Sequence, residues 1–393
     1  MRRFYLFGLI LLFMGCSSDN STNSSDAPAN NAFDLSSVFN INFNVLPNYS
    51  DQYIPVYITK DNSPTNNPIS NEGATLGRVL FYDVNVSTNN EISCASCHKQ
   101  EFAFSDDNAV SIGVDGITGR HSMRLVNVRF ANENRFFWDE RANSLEQQTT
   151  MPIQDHVEMG FSGENGDLNF EDLVTKLEAI EYYPELFNLA FGSSEISELK
   201  IQNALAQFIR SIQSFDSKYD EGRLLTANNA QPFPNFTAQE NNGKNLFLQP
   251  PVFDTMGSRI NGGIGCAGCH QAPEFDIDPN SLNNGVIGTA SGTGVDFTVT
   301  RAPSLRDVLK SNGDANGPFM HIGVSTNIMT VLNHYDNINI AANTNLDPRL
   351  TPGGNPQQLN MTAQEKDAVQ VFLQTLAGNE IYTDPKWSNP FIN

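Results

Sequence analysis

The sequence predicts a mainly α fold with long loops, built as two similar halves, and three observations predict it. Apolar residues recur at helical spacing through Phe170, Leu173, Val174, Leu177 and Ile180, and again through Ile201, Leu205, Phe208, Ile209 and Ile212. No run alternates polar and apolar residues over a useful strand length. An ordered set of landmarks also occurs twice. Gly77-Arg78-Val79-Leu80-Phe81 precedes Cys94-Ala95-Ser96-Cys97-His98, and Gly243-Lys244-Asn245-Leu246-Phe247 precedes Cys266-Ala267-Gly268-Cys269-His270. Arg120 with Leu125 follows the first set and Arg301 with Leu305 the second, which is the mark of a duplicated unit. The 393 residues suffice for two domains at roughly 150 residues each.

In chain order, Arg2 and Arg3, the apolar run Phe4 to Met14 and then Gly15 have the layout of a secretory signal over residues 1–15. The run is too short for a spanning helix, so the protein is expected outside the cytosol, on the periplasmic or cell-envelope side. Cys16 after the small Gly15 is expected to carry a bacterial lipoprotein acyl anchor, although Phe13 stands where such sites usually have leucine. Ser17 to about Asn31 is nearly all small and polar and reads as a disordered tether. Ala32 to Pro68 has scattered aromatics and prolines without a period, a wrapping segment, with order beginning near Asn71. The expected divisions are 16–50 for tether and wrap, 51–228 for the first domain and 229–393 for the second.

The two C-x-x-C-H runs carry the chemistry. In an exported protein this pattern reads as c-type haem attachment, two thioethers holding a porphyrin and the next histidine ligating its iron. A closed zinc site or two disulfides would also use paired cysteines, but neither requires a histidine after the second cysteine of both pairs. Two covalent haems are therefore expected, on Cys94, Cys97 and His98 and on Cys266, Cys269 and His270.

Between these landmarks, Thr237 with Glu240 and Thr362 with Glu365 are capping boxes that open helices, and Gly378 is placed to end the last one. Asn283 to Thr300, rich in Gly, Thr, Ser and Asn, reads equally as cover over a haem edge or as surface decoration. With 23 basic against 44 acidic residues, nothing is available to neutralise phosphates, so nucleic acid is not an expected partner. The excess negative charge suits a basic protein partner or solubility alone.

The motifs resemble those of the bacterial di-haem cytochrome c peroxidase and MauG superfamily, from about Gly73 to near Leu376. They are Gly77 to Asp83, Ser93 to His98, Phe137-Trp138-Asp139-Glu140-Arg141, Glu158-Met159-Gly160, Arg210 with Phe215-Asp216, Arg301 to Arg306, and Pro318-Phe319-Met320-His321-Ile322-Gly323. The resemblance implies two cytochrome c-like domains. The N-terminal haem would reduce hydrogen peroxide, and the C-terminal haem would receive electrons from a small cytochrome c or cupredoxin, with Trp138 between them and His321 against a haem. Glu158 matches the family's acid-base glutamate and Gln148 its helper, with Gln147 as the alternative register. A homodimer and a calcium ion are also implied, the calcium on Asn127 with the carbonyls of Asn316 and Pro318.

Two departures alter that picture. Many family members carry a displaceable distal histidine after the segment matching Ser111-Ile112-Gly113, but here Val114 follows, and His121 and His156 are the nearest substitutes. The electron-accepting haem usually has a methionine ligand, whereas the aligned residue is Tyr335, as in the MauG branch, with Met329 as the alternative. A phenolate favours ferric iron and a thioether ferrous iron, so the two ligands have opposite redox effects. The leading expectation is a peroxidase. Its rivals are a MauG-like oxidase storing oxidising equivalents for a protein or organic substrate, and a non-enzymatic electron carrier.

Overall fold

Two helix pairs, each crossing at a glycine, set the architecture of the computed structural model, which describes residues 33–340 and 342–392. The expected signal, Cys16 and the tether to Asn31 lie outside the described residues. In chain order the helices are α1 (Asn71–Tyr82), α2 (Cys94–Cys97), α3 (Leu145–Thr150), α4 (Phe170–Glu178), α5 (Tyr182–Phe191), α6 (Glu198–Ser211), α7 (Lys218–Leu224), α8 (Ala238–Leu248), α9 (Ile328–Asp336) and α10 (Ala363–Gln374). Three two-stranded antiparallel ribbons pair β1 (Ile112–Gly113) with β2 (Gly116–Ile117), β3 (Pro251–Phe253) with β4 (Arg259–Gly262), and β5 (His270–Gln271) with β6 (Asp276–Ile277). Among the described residues no helix is long and apolar enough to cross a membrane.

In the first pair α1 crosses α6, where a Cβ on Gly77 would stand 2.0 Å from the Ala204 carbonyl oxygen. In the second pair α8 crosses α10, where a Cβ on Gly243 would stand 1.9 Å from the Ala368 carbonyl oxygen. Any larger residue would push the helices apart, so each glycine sets how closely its pair packs.

The loops repeat the same pattern. Leu125 donates its N–H to the Phe104 carbonyl at 3.3 Å and Leu305 donates to Phe275 at 3.1 Å. Phe104 and Phe275 both have left-handed backbones, with φ of 58° and 59°. Asn127 then donates to Ile212 and Asp307 to Leu376, at 3.0 and 3.3 Å. Leu125 and Leu305 are therefore equivalent, and this register corrects one pairing: Arg301 is the counterpart of His121, not of Arg120. Farther on, Phe136 donates to Ala142 and Phe319 to Ser325, followed by the caps Ser144 and Asn327 of α3 and α9. By the same count Phe137 matches Met320 and Trp138 matches His321.

Both capping boxes form as expected at α8 and α10. Gly378 is a correction, because α10 already stops at Gln374 with Thr375 as its cap. Gly378 is needed instead for close approach: a Cβ there would lie 2.2 Å from Ser214 Oγ.

Order also begins earlier than Asn71. Phe39 bridges to Phe391, the Tyr49 hydroxyl donates to the Lys386 carbonyl at 2.6 Å, and Tyr57 donates to Asp220. The C-terminal tail returns over α1, where Arg78 and Tyr82 donate to the Ser388 and Trp387 carbonyls at 2.6 and 2.7 Å. Trp387 is buried by this return. The chain from Asp34 onward packs as one unit, and α7 places Tyr219 in the core of the second half with Phe247, Phe275 and Phe372.

Candidate active site

Each C-x-x-C-H motif opens into its own cavity. The first, about 560 Å³, is lined by Cys94, Cys97 and His98. The second, about 640 Å³, is lined by Cys266, Cys269 and His270. Ser93 and Ser96 cap α2 reciprocally, presenting the first cysteine pair on one helical turn with His98 just beyond it. A 3-10 turn, Cys266–Gly268, does the same in the second half. The four thiols are free, which removes the disulfide reading. Among the described residues no group of three or more His, Cys, Asp or Glu could hold a metal ion by itself, which removes the zinc reading.

The lining fits two haems. Burial pushes the Cys94 and Cys266 thiols up to about 12 and Cys97 to about 11, so they stay neutral. Burial lowers His98, and holds His270 at about 4, so both imidazoles are neutral as an iron ligand must be. The His98 Nδ1 pairs with the Phe104 carbonyl at 3.2 Å, leaving Nε2 for the metal. Arg301 Nη1 and Arg124 Nε are buried without partners, and both residues line both cavities. Unsatisfied guanidinium nitrogens at that junction match the carboxylates a porphyrin carries.

Trp138 also lines both cavities. Its Nε1 donates to the His121 carbonyl at 2.7 Å, and its own carbonyl accepts from Arg301 N at 3.1 Å. His121 N in turn donates to the His321 carbonyl at 2.7 Å. His321 lines the second cavity and is pinned through Nε2 to the Gly288 carbonyl at 2.9 Å.

Glu158 and Gln148 line the first cavity with His98. Gln147 is exposed, lies outside the cavity lining, and its Oε1 accepts the Asn143 N–H at 2.9 Å. The Glu158 main chain is held on both sides: its carbonyl accepts from Val114 N at 3.1 Å and its N–H donates to Asp155 Oδ1 at 3.0 Å. Burial, with Asp155 adding to it and Arg141 opposing, pushes the Glu158 carboxyl up to about 7. Val114 packs against Gly160 instead of lining the cavity. Neither substitute histidine is available. Both ring nitrogens of His121 are engaged, with the Asn108 carbonyl at 3.0 Å and Ser105 Oγ at 3.2 Å. His156 lies outside the cavity lining, between Asp115 and Asp167.

Tyr335 on α9 lines the second cavity, whereas Met329 does not and packs against the core of the second half. On α9, six positions before Tyr335, Met329 presents its side chain on a different face. The cavity is lined by three other methionines, Met123, Met361 and Met320, the last of which sequence periodicity passes over. Its signal was its place inside the Pro318 to Gly323 motif. Of the segment from Asn283 to Thr300, its two ends, through Asn284, Val299 and Thr300, line the same cavity.

The expected calcium donors do not fit a cation in this arrangement. Asn127 Oδ1 accepts from Ser214 N at 2.8 Å, and its Nδ2 donates to the Ser214 carbonyl at 3.1 Å. The Asn316 carbonyl accepts from the buried Arg124 guanidinium at 2.9 Å, and Pro318 lines the second cavity. A positive side chain already occupies the oxygen-rich spot.

The model of the family "Di-haem cytochrome c peroxidase" matches residues 71–227. The methylamine utilization protein MauG of Methylophilus methylotrophus is 29% identical over 81% of this chain and 86% of its own length. Its namesake from Methylorubrum extorquens is 30% identical over 69% of this chain and 70% of its own. The crystal structure of a MauG-like protein associated with microbial copper homeostasis superposes with a TM-score of 0.65 and 28% identity, covering 86% of this chain and 99% of that one.

Proposed function

The chain belongs to the di-haem cytochrome c peroxidase and MauG family, and from that premise we propose that it reduces hydrogen peroxide to water with electrons from a small cytochrome c or cupredoxin. One observation carries the reading: a carboxyl poised near 7, Glu158, shares a cavity with His98 and Gln148. In this reading Cys94, Cys97, Cys266 and Cys269 carry the haems, and His98 and His270 ligate them. Bound haem would supply redox-active iron and the relay of electrons.

Reduction of hydrogen peroxide breaks one O–O bond, consumes two electrons and two protons, and leaves two waters. Glu158 Oε, as carboxylate, would take the proton from one peroxide oxygen. As carboxylic acid it would return that proton to the other oxygen, which leaves as water. A group half ionised near neutrality serves in both directions. The Gln148 amide orients the peroxide beside it. Trp138, which lines both cavities, spans the route from the second haem, in the 229–393 half, to the first, in the 51–228 half. Export through the N-terminal signal and a lipid anchor at Cys16 would place this chemistry on the cell-envelope side.

A second reading, a MauG-like oxidase acting on a protein or organic substrate, is favoured by Tyr335 in the second cavity and by the two MauG relatives. A bare electron carrier leaves the poised Glu158 without a task. The test is Glu158→Gln in the holoprotein, which is expected to keep both haem spectra and lose most peroxide turnover. Unchanged turnover overturns the assignment.

A further inference from the structure

Tyr335 does not stand alone in the second cavity. The Asn284 side-chain amide, Nδ2, donates to the Tyr335 hydroxyl at 3.1 Å and lies 3.5 Å from Met320 Sδ. One amide therefore touches an oxygen-bearing and a sulfur-bearing side chain of this cavity, Tyr335 and Met320, each of a type that iron can take as a ligand.

Asn284 is itself held firmly. Its Oδ1 accepts from Val286 N at 3.1 Å, and its carbonyl accepts from His334 Nε2 at 2.9 Å, so the residue grips two successive side chains of α9. The neighbouring Asn283 fixes the loop base, donating to the Val299 carbonyl at 3.1 Å and accepting from Asn343 at 2.7 Å. The amide is therefore anchored on its other atoms, with its N–H group directed at Tyr335. Met320 sits beside it with a left-handed backbone, φ 67°, at the register Phe137 holds in the first half.

We propose that Asn284 is the positioning residue of the second haem, holding the Tyr335 oxygen toward the iron and keeping Met320 sulfur from taking its place. The proposal rests on the reading of Tyr335 as that haem's distal ligand. A hydrogen-bond donor aimed at a phenolate stabilises the charged oxygen. The same donor gains less from a thioether, which is a weak acceptor. Iron that would otherwise bind either atom is thereby offered oxygen first. Asn284 acts through Tyr335, and the loop that carries it is a determinant of the second haem's character.

The test uses the full-chain di-haem protein and its ferric-state electron paramagnetic resonance and visible spectra. Asn284→Asp retains the acceptor for Val286 and exchanges the donor for a carboxylate oxygen that repels a phenolate, and Asn284→Ser serves if that variant loads haem poorly. The expected result is loss of most of the phenolate-type signal of the second haem and appearance of a thioether-type band. A second substitution, Met320→Leu, abolishes that band, while the first haem's signal is unchanged throughout. A wild-type spectrum in both Asn284 variants, with Tyr335→Phe altering it, overturns the role of Asn284. Loss of the phenolate signal with no thioether band overturns the choice between ligands. An unaltered spectrum in Tyr335→Phe overturns the reading of Tyr335 itself, which keeps that failure separate.

Discussion

Trp138 and His321 meet edge to face, with ring centroids 6.2 Å apart and planes at 62°, at equivalent positions of the two halves. Each is tied to the opposite half's counterpart segment by its carbonyl, which accepts from Arg301 N in one case and His121 N in the other. The contact is thus reciprocal, as two repeats facing each other across a local twofold would make it. Trp138→Phe keeps an aromatic ring but deletes the Nε1 donor to the His121 carbonyl. We expect both haem spectra to survive and turnover to fall several-fold, with the slow step becoming electron transfer between the haems, read by rapid-mixing spectroscopy after peroxide addition. Unchanged transfer would remove Trp138 from the route.

Glu158 gives a pH signature. Its carboxyl is pushed up to about 7 by burial, so kcat/KM is expected to rise with pH through that value as the base form appears. Glu158→Gln should flatten the profile and cost about 100-fold or more, the usual scale of general acid–base catalysis. Stability moves the other way. A folded-state value above the ordinary carboxylate range means the folded protein holds the proton more tightly, so ionising Glu158 costs stability as pH climbs from about 4.5 to about 7. The variant should therefore be the more stable protein above neutrality, by urea titration at matched haem content.

The first cavity contains no histidine with a ring nitrogen to spare besides His98, since His121 is doubly engaged and Val114 turns its side chain to Gly160. The fully ferric protein is expected to react with peroxide without prior reduction of the second haem. Stopped-flow spectra of the oxidised protein check this directly. Inertness until one electron is added would mean a ligand that arrives from elsewhere.

Much of this organisation was legible in the sequence because duplication writes it twice. The cysteine motifs, the glycines of α1 and α8, and the capping boxes of α8 and α10 each follow from local chemistry that acts wherever the residues occur. Residues whose role depends on a long-range partner were not legible. Asn284 looked like any loop asparagine until α9 came beside it, and Met320 was hidden because a left-handed turn, not a helix, aims it. Arg301 is a repeat landmark four residues before Leu305, whereas Arg120 stands five before Leu125, and the backbone hydrogen bonds that pair the two leucines make that one-residue offset decisive. The C-terminal tail gave no sign that it folds back on α1, because what it offers Arg78 and Tyr82 there are carbonyls that any residue could supply.

The glycine crossings can be tested in parallel. Gly77→Ala and Gly243→Ala each set a methyl group about 2 Å from a carbonyl oxygen of the facing helix, a clash that only helix displacement relieves. Overpacking of this kind costs about 1–3 kcal/mol, occasionally more. Similar losses by chemical denaturation in the two variants, each with impaired haem loading confined to its own half, would establish that the crossings do the same work. A neutral result at either position would show that its helix pair has room to shift.

Arg306 presents the opposite case, a charge with nowhere to go. It is fully buried, paired with Asp220 at 2.7 Å, and stacked among Phe215, Tyr219 and Phe275. Asp220 lies on α7 and Arg306 follows the second haem motif, so the pair fastens the linking helix to the second half. Asp220→Ala leaves the guanidinium uncompensated in an apolar setting, and the cost of breaking such a pair is about 3–5 kcal/mol. Replacing both partners, Asp220→Leu with Arg306→Met, removes the stranded charge and should recover part of that loss despite the orphaned Tyr57 hydroxyl. A double variant no more stable than Asp220→Ala would mean that the hydrogen bonds from Arg306 to the Pro273 carbonyl and from Tyr57 to Asp220, and not the charge balance, hold α7 in place.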